Sequence, residues 1–193
     1  MSEEGSDEML RVPELTPGAR RILEVASGLF YRRGIHAVGV DTIADESGIT
    51  KRTLYDRFGS KENLVAAYLQ ARHHRWWQRM EQRLLEAPGS PVLAFFDSYF
   101  ADSEASDRGC AFINAAAELP VDHRGYRVIR AHKQVVRRRI AELVRQGHPE
   151  LVDPDTVADE VFLLLEGAVA HRGIEGDRLL GIARGRVAAL LDA

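Results

Sequence analysis

Four basic side chains lie within sixteen residues of this sequence, in the segment ITKRTLYDRFGSKENL at positions 49–64. They are Lys51, Arg52, Arg57 and Lys61, and the acids of the segment are Asp56 and Glu62. Ammonium and guanidinium groups bind phosphate, and they can also donate hydrogen bonds to O6 and N7 of guanine. The segment could therefore bind nucleic acid, and a solvated helix surface is the alternative interpretation.

The charge of the whole chain conceals this concentration of cations. The net charge of the 193 residues is −3. Residues 1–15 carry one cation against five acids, residues 16–61 carry eight against five, and the remaining 132 residues carry 17 against 19. Attraction to phosphate is local because salt screens it over about 10 Å. An acidic chain with one basic segment can therefore still bind nucleic acid.

Capping signals divide the residues around this segment into short helices. Thr16 and Pro17 predict a helix start, and apolar residues then recur at helical spacing as far as Gly34. Asp41 could cap a second, very short helix that ends at Gly48. Thr50 caps a third helix that ends at Gly59, and Ser60 starts a fourth that runs to about residue 85.

Helices this short are unstable alone in water, so the first three must share one small core. We expect that core to contain Ile22, Ala26, Phe30, Ile43, Ala44, Ile49, Leu54 and Phe58. Two short helices joined by a glycine turn and braced by a longer one are typical of a helix-turn-helix. In that motif the N-terminal residues of the second short helix meet base edges in the major groove, which here are Lys51, Arg52 and Thr53.

The rest of the chain also shows helical periodicity. We expect an aromatic helix over 91–103, a helix over 109–119, a long helix over 122–146 and apolar helices over 155–170 and 177–191. The fold class is therefore all-α. We divide the chain into a disordered acidic tail (1–14), a helix-turn-helix domain (15–61) and a larger helical domain (62–193).

Several classes of protein are disfavoured by what the sequence lacks. The seven histidines form no HExxH motif, and there is no paired-carboxylate pattern or glycine-rich phosphate loop. Cys110 is the single cysteine, so no disulfide or multi-cysteine metal site can form within the chain. No apolar run approaches the length of a membrane span, and the N-terminus is acidic. We expect a cytoplasmic protein that is not an enzyme and has no metal or cofactor.

The text ILEVASGLFYRRGIHAVGVDTIADESGITKRTLYDRFGSKENLVAAYL, residues 22–69, resembles the tetracycline-repressor (TetR) family of bacterial transcriptional regulators. Four pieces of it agree in register: A…LF…G, TIA…GI, TLY…F and SKENL. The resemblance implies about nine helices, a homodimer on a palindromic operator, and release from DNA by a small molecule. It also implies that Thr42, Tyr55 and Lys61 bind DNA phosphates.

A homodimer needs an interface outside the helix-turn-helix domain, and the last two helices are the candidates. Their apolar residues could form an intermolecular four-helix bundle, and an internal core is the alternative use of part of each helix. The residues predicted for the dimer interface are Val157, Val161, Leu164, Leu165, Ala168, Leu180, Ala183, Val187 and Leu190.

Aromatic residues in the larger domain exceed what a small helical bundle needs, which suggests a cavity for an apolar or amphipathic effector. The predicted apolar lining is Trp76, Phe95, Tyr99 and Phe112, and the predicted polar anchors are Asn114, Glu118 and His132. A plain packed core is the alternative for each of these residues.

A different class of protein remains possible from the sequence alone. The helix over 122–146 is rich in arginine and lysine and could bind an acidic partner without reading DNA, although a solvated face is the simpler interpretation. Cys110 could act as a redox sensor, although a cysteine beside Ala111 and Phe112 is more often a small buried apolar residue.

Overall fold

The computed structural model describes residues 3–101 and 108–192, without the side chains of residues 3, 4, 99 and 100. Within those ranges the chain forms ten α-helices and no strand, which confirms the all-α class. The helices are α1 (Glu3–Leu10), α2 (Pro17–Arg33), α3 (Val40–Ser47), α4 (Lys51–Phe58), α5 (Lys61–Glu86), α6 (Pro91–Ala101), α7 (Ala111–Glu118), α8 (Arg124–Gly147), α9 (Pro154–Glu175) and α10 (Arg178–Leu191).

The predicted caps position α2 and α4. The Thr16 hydroxyl accepts a hydrogen bond from the backbone of Ala19, and the Thr50 hydroxyl accepts one from the backbone of Thr53 at 3.2 Å. Gly48 adopts the left-handed conformation (φ 70°) between α3 and α4, as the sequence predicts. Because Gly48 takes this conformation without strain, the chain can reverse within three residues and lay α4 across α3.

The core of these helices contains the predicted residues. Seven of the eight are buried, and they are Ile22, Ala26, Phe30, Ile43, Ala44, Leu54 and Phe58. Ile49 is only half-buried, since it lies in the turn itself. Burying these side chains is what stabilises helices of eight residues, each of which would be marginal alone.

Two local predictions need correction. Gly39, not Asp41, precedes the first turn of α3, which begins at Val40 and has no side-chain cap. The acidic N-terminal segment was expected to be disordered, but its residues Glu3–Leu10 form α1, so the described chain has ten helices where about nine were expected. The helix is held because Leu10 is buried and because the Gln70 amide donates to the Met9 carbonyl at 2.8 Å.

The chain divides into two compact units that do not follow the linear domain borders expected from the sequence. One unit comprises residues 1–74 and 111–132, and the other comprises residues 75–110 and 133–193. The divisions fall inside α5 and α8, so each of these helices contributes to both units.

The core of the second unit is formed by the later parts of α5 and α8 together with α6, α9 and α10. Its fully buried side chains include Met80, Phe96, Ile140 and Leu165. Among the residues that the structure describes, no helix has the length and apolar character needed to cross a bilayer.

Candidate nucleic-acid interface

The helix α4 presents one apolar face inward and a polar face to solvent. Leu54 and Phe58 are buried beneath it, whereas Lys51, Arg52 and Tyr55 are exposed, with 46% of Tyr55 accessible. The spacing of the two anchors (i, i+4) determines this division, because residues four apart share one side of a helix. The N-terminal end of α4 is therefore free to meet a nucleic acid.

Lys51 and Arg52 differ in the partners that they have within the chain. The Lys51 ammonium forms an ion pair with Asp41 of α3, and both side chains are more than half exposed. Exposed pairs of this kind contribute only about 0–1 kcal/mol, so a phosphate or a base could replace Asp41. Arg52 has no ion pair with any carboxylate in the described part of the chain. The sequence did not indicate that Lys51 would be partnered by Asp41.

The two predicted threonines lie at the edge of this surface. Thr53 is half-buried, and its hydroxyl lies 3.0 Å from the hydroxyl of Thr50, the residue that caps α4. Thr42 is half-buried in the first turn of α3. Base reading by Lys51, Arg52 and Thr53 and phosphate binding by Thr42 and Tyr55 stay predictions.

Lys61 begins α5, and its ammonium group is bound within the protein. It donates a hydrogen bond to the carbonyl of Ile35 at 2.7 Å. Partial burial lowers the pKa of Lys61, and the nearby Glu118 carboxylate opposes that shift. An ammonium group has three donors, so one bond to Ile35 leaves two that could reach a phosphate. Phosphate binding by Lys61 also stays a prediction.

Glu118 is the last residue of α7 and contacts the turn that follows α2. Its carboxylate accepts a hydrogen bond from the backbone N–H of His36 at 2.8 Å. Its backbone carbonyl lies 2.6 Å from His36 Nε2. Gly34, with a φ of +91°, leaves room for the carboxylate, since a Cβ there would lie 3.1 Å from Glu118 Oε1. We call this arrangement the Glu118 contact, and it fastens α7 to the helix-turn-helix region.

Known protein families match both the N-terminal and the C-terminal parts of this chain. The family model described as "Bacterial regulatory proteins, tetR family" matches residues 22–68. A second, described as "Tetracyclin repressor-like, C-terminal domain", matches residues 88–184, half of the chain. The transcriptional activator FasR of Mycolicibacterium smegmatis is 30% identical over 179 residues, which cover 90% of this chain and 68% of FasR. The chain belongs to the TetR family of bacterial regulatory proteins.

Two further transcriptional regulators resemble this chain, one in sequence and one in structure. The transcriptional repressor KstR2 of Mycolicibacterium smegmatis is 34% identical over 91 residues, or 46% of this chain and 44% of KstR2. The crystal structure of a TetR-family transcriptional regulator from Streptomyces coelicolor superimposes with a TM-score of 0.81 at 30% identity, covering 91% of this chain and 94% of that one. The protein is accordingly a DNA-binding transcriptional regulator and not an enzyme, as the sequence predicts.

The residues predicted to line a ligand cavity in this TetR-family chain divide between the two compact units. Trp76 and Phe95 are buried in one unit, where their rings meet edge to face at 6.0 Å. Phe112, Asn114, Glu118 and His132 belong to the other unit. The side chain of Tyr99 lies outside the described residues.

The polar anchors predicted for that cavity already have partners within the protein. Glu118 makes the contact with His36, and the void that it borders with Asn114 has a volume of about 10 Å³, room for about one water molecule. His132 stacks on Phe112 with ring centroids 3.7 Å apart. Glu118 therefore takes part in the Glu118 contact, and a role for it in binding a ligand stays a prediction.

His132 also forms a buried pair with His73, which the sequence does not predict. The two Nδ1 atoms lie 3.0 Å apart, so one ring must donate and the other accept. Burial lowers the pKa of His73 to about 4, with a further lowering by His74 and an opposing effect of Asp7. The His73 ring is therefore neutral at physiological pH. No local pattern in the sequence links positions 73 and 132.

The residues predicted for the dimer interface differ in how far their own chain covers them, and their role in a dimer stays a prediction. Six of its nine residues lie in the chain's own core with exposed fractions of 0–5%, and they are Val161, Leu165, Ala168, Leu180, Ala183 and Val187. Val157, Leu164 and Leu190 are half-buried. Side chains this deeply covered by their own chain have little surface left for a partner. The internal-core interpretation holds for these six positions.

A second apolar stripe on α9 is exposed instead. Leu163 and Ile174 are 69% and 80% accessible, and Gly167 and Ala170 lie between them on the same face. On α10, Ile182 is 53% accessible, and nothing lies within 4 Å of a Cβ built on Gly185. The spacing of the α9 stripe, with steps of four, three and four residues, is typical of a seam between helices. That spacing was the signal available in the sequence.

The basic face of α8 is largely neutralised within the protein. Lys133 pairs with Glu166, Arg137 with Asp159, Arg139 with Glu81 and Glu142, and Arg145 with Asp155. Arg130 lies over the ring of Tyr126. The solvated, ion-paired interpretation of this helix is therefore favoured over an acidic-partner surface. Cys110 is half-buried, and its sulfur lies 3.8 Å from the Lys133 ammonium nitrogen.

Proposed function

We propose that this TetR-family regulator represses transcription by binding a palindromic operator as a homodimer, with α4 in the major groove. The observation that carries the proposal is the division of α4 into a buried side (Leu54 and Phe58) and an exposed basic end (Lys51 and Arg52). Arg52 is the strongest candidate for base reading because it has no ion pair within the described chain, and a bidentate guanidinium suits guanine.

Base reading and phosphate binding predict different behaviour on substitution. Arg52→Ala should lower the preference for operator over scrambled DNA by about 1–3 kcal/mol. Lys61→Ala should weaken binding to both duplexes and reduce the salt dependence of both. Fluorescence anisotropy with operator and scrambled duplexes at two salt concentrations distinguishes these effects, after genomic footprinting has supplied the operator.

The exposed Arg186 of α10 supplies a matched control, because Arg186→Ala removes one cation far from the proposed reading end in the sequence. Arg186→Ala should change neither the preference for operator over scrambled DNA nor the salt dependence of duplex binding. The proposal of base reading fails if Arg52→Ala and Lys61→Ala reduce binding to both duplexes equally.

A dimer is needed because one helix of eight residues contacts few base pairs. Two helix-turn-helix regions can bind two half-sites that lie about one turn of the DNA helix, or a multiple of it, apart. We place the dimer surface on the exposed stripe of α9 (Leu163, Gly167, Ala170 and Ile174) together with Ile182 and Gly185 of α10. Small residues between large apolar ones let two helices approach closely. A second copy of the chain would cover this surface with its own equivalent surface, related by a two-fold axis.

Repression is the direction that we propose, although the relatives include both the activator FasR and the repressor KstR2. A repressor that covers a promoter lowers transcription in a purified system, whereas an activator raises it. In-vitro transcription from the footprinted promoter with increasing protein should therefore show a decrease, and an increase would overturn this part of the proposal.

Release by a small apolar or amphipathic effector completes the proposed function. An effector that converts a population from 1:99 to 99:1 must favour the released state by about 5.5 kcal/mol. Its binding should also raise the unfolding temperature, because a ligand that binds only the folded chain stabilises it. A compound that binds the chain, raises its unfolding temperature and dissociates the operator complex supports the proposal. A compound that binds but leaves operator affinity unchanged is not the effector.

A further inference from the structure

A groove in the unit formed by residues 1–74 and 111–132 gathers three arginines that the proposed function does not use. It has a volume of about 460 Å³ and lies between α4, α5, the start of α8 and the chain around Met9 and Pro13. Arg57 comes from the end of α4, and Arg124 and Arg127 come from the first turn of α8. Arg57 lies 67 residues before Arg124 in the sequence, so only the fold brings it to the two arginines of α8.

The side chains of these three arginines lack carboxylate partners in the described part of the chain, although the backbone N–H of Arg124 donates a hydrogen bond to the Glu62 carboxylate at 2.7 Å. None forms an ion pair there, and none of the described residues that line the groove is acidic. This contrasts with Arg137 and Arg139 further along α8, which pair with carboxylates. In a chain of net charge −3, three like charges around one groove repel each other, and an anion would relieve that repulsion.

The other polar groups of the groove are already occupied. The Asn63 amide donates to the Phe58 carbonyl at 2.7 Å, and the Gln70 amide donates to the Met9 carbonyl at 2.8 Å. The remaining lining includes the apolar residues Ala66, Ala67 and Val128. The groove thus combines guanidinium donors with an apolar wall, and its volume falls in the range of small-molecule sites.

From this combination we infer that the groove binds an amphipathic organic anion, with a phosphate or carboxylate head held by Arg124 and Arg127 and a short apolar body against Ala66. Guanidinium groups suit both heads because their N–H groups form parallel pairs of hydrogen bonds with either. A DNA backbone would satisfy the charges but makes no use of the apolar wall. The site borders Arg57 and Phe58, the last two residues of α4.

Isothermal titration calorimetry on the full chain tests the inference with three probes below their micelle concentrations: decyl phosphate, decanoate and the uncharged decyl maltoside. Saturable one-to-one binding of either anion, and not of the maltoside, is expected. The ratio of the two anion affinities identifies the preferred head group. Absence of saturable binding by both anions, or equal binding of the maltoside, would overturn the inference.

Two variants and a control locate the binding. Arg124→Gln with Arg127→Gln should weaken anion binding about tenfold or more, because each lost charge-assisted hydrogen bond is substantial. Ala66→Phe should weaken it similarly by filling the groove without changing charge. Arg130→Gln, on the same helix but outside the lining, should have no effect. Unchanged affinity in the first two variants, or an equal loss in the third, would overturn the site.

Duplex binding by the same proteins separates this inference from the proposed function. The double arginine variant should retain operator affinity, while failure of the unaltered chain to bind any operator would contradict only the regulator mechanism. If the double variant instead lost duplex affinity and salt dependence, and the unaltered chain bound neither anion, the groove would be a DNA phosphate surface and the inference would be wrong.

Discussion

The Glu118 carboxylate accepts a hydrogen bond from the backbone N–H of His36 across 82 residues of sequence, at 2.8 Å. The Glu118 contact also includes the His36 ring, which lies 2.6 Å from the Glu118 carbonyl, and the close approach to Gly34. The last turn of α7 is thus joined to the turn between α2 and α3. The contact supports the region from which α3 and α4 project.

Glu118→Ala should lower the free energy of unfolding by about 0.5–1.5 kcal/mol, because the exposed hydrogen bond from the His36 N–H to a carboxylate is lost. Urea denaturation measures the effect. Glu24→Ala is the control, since Glu24 is exposed and its ion pair with Arg21 is 3.7 Å long, and its effect should stay within about 0.5 kcal/mol. Equal losses in both variants would show that the Glu118 contact contributes little.

Acid should destabilise the protein through His73. Its pKa is about 4 in the folded chain, whereas a histidine in an unfolded chain titrates near 6.5. Between these values the unfolded chain binds more protons, so stability is complete above about pH 6.5 and decreases as the pH falls towards 4. From pH 7.5 to 5.0 this residue should remove about 2 kcal/mol of unfolding free energy.

His73→Gln should therefore show a flatter dependence of unfolding free energy on pH than the unaltered chain. His171→Gln is the control, because His171 is exposed on α9, and it should retain the original slope. Parallel slopes for the unaltered chain and His73→Gln would mean that His73 titrates normally in the folded protein.

The proposed dimer should dissociate when charge is placed on the exposed α9 stripe. Leu163→Glu with Ile174→Glu would bring like charges together across a two-fold interface and leave them desolvated there. Sedimentation should then give the mass of one chain, and operator affinity should fall because each head binds alone. Leu85→Glu, at another exposed apolar position, should leave the dimer intact. A dimeric double variant would place the interface elsewhere.

The ion pair between Asp41 and Lys51 should restrain DNA binding. Asp41→Asn frees the Lys51 ammonium and removes a carboxylate near the α4 end, so affinity for non-specific DNA should rise and its salt slope should steepen by about one. Asp45→Asn makes the same charge change at an exposed residue of the same helix that has no ion pair in the described chain. Equal increases would attribute the effect to net charge alone.

The helix-turn-helix head was predictable from sequence because its determinants are local. Thr16, Thr50 and Gly48 act on backbone groups within a few residues of themselves, and the spacing of Leu54 and Phe58 determines which side of α4 is buried. The caps of α2 and α4 and seven of the eight core residues were therefore found. The N-terminal start of α3 was missed because Asp41 has the residue type of a cap but lies one position inside the helix.

The composition of residues 1–14 predicts disorder where the chain forms α1. An acid-rich segment usually stays disordered because it has little apolar surface to bury. Here Leu10 is buried and the Met9 carbonyl receives a hydrogen bond from Gln70, 61 residues away in the sequence. Neither contact can be inferred from the composition of residues 1–14, since burial depends on the tertiary fold and the hydrogen bond depends on where α5 lies.

Nine of the ten described helices, the exposed basic end of α4 and the family could be predicted from the sequence, because these follow from caps, periodicity and motifs within short stretches. Tertiary structure alone decided which apolar faces became core, so that Leu165 and Val187 are buried within the chain while Leu163 and Ile174 remain exposed. It also brought Glu118 to His36 and Arg57 to Arg124 and Arg127. Periodicity shows that a helix has an apolar face, but only packing determines which surface covers it.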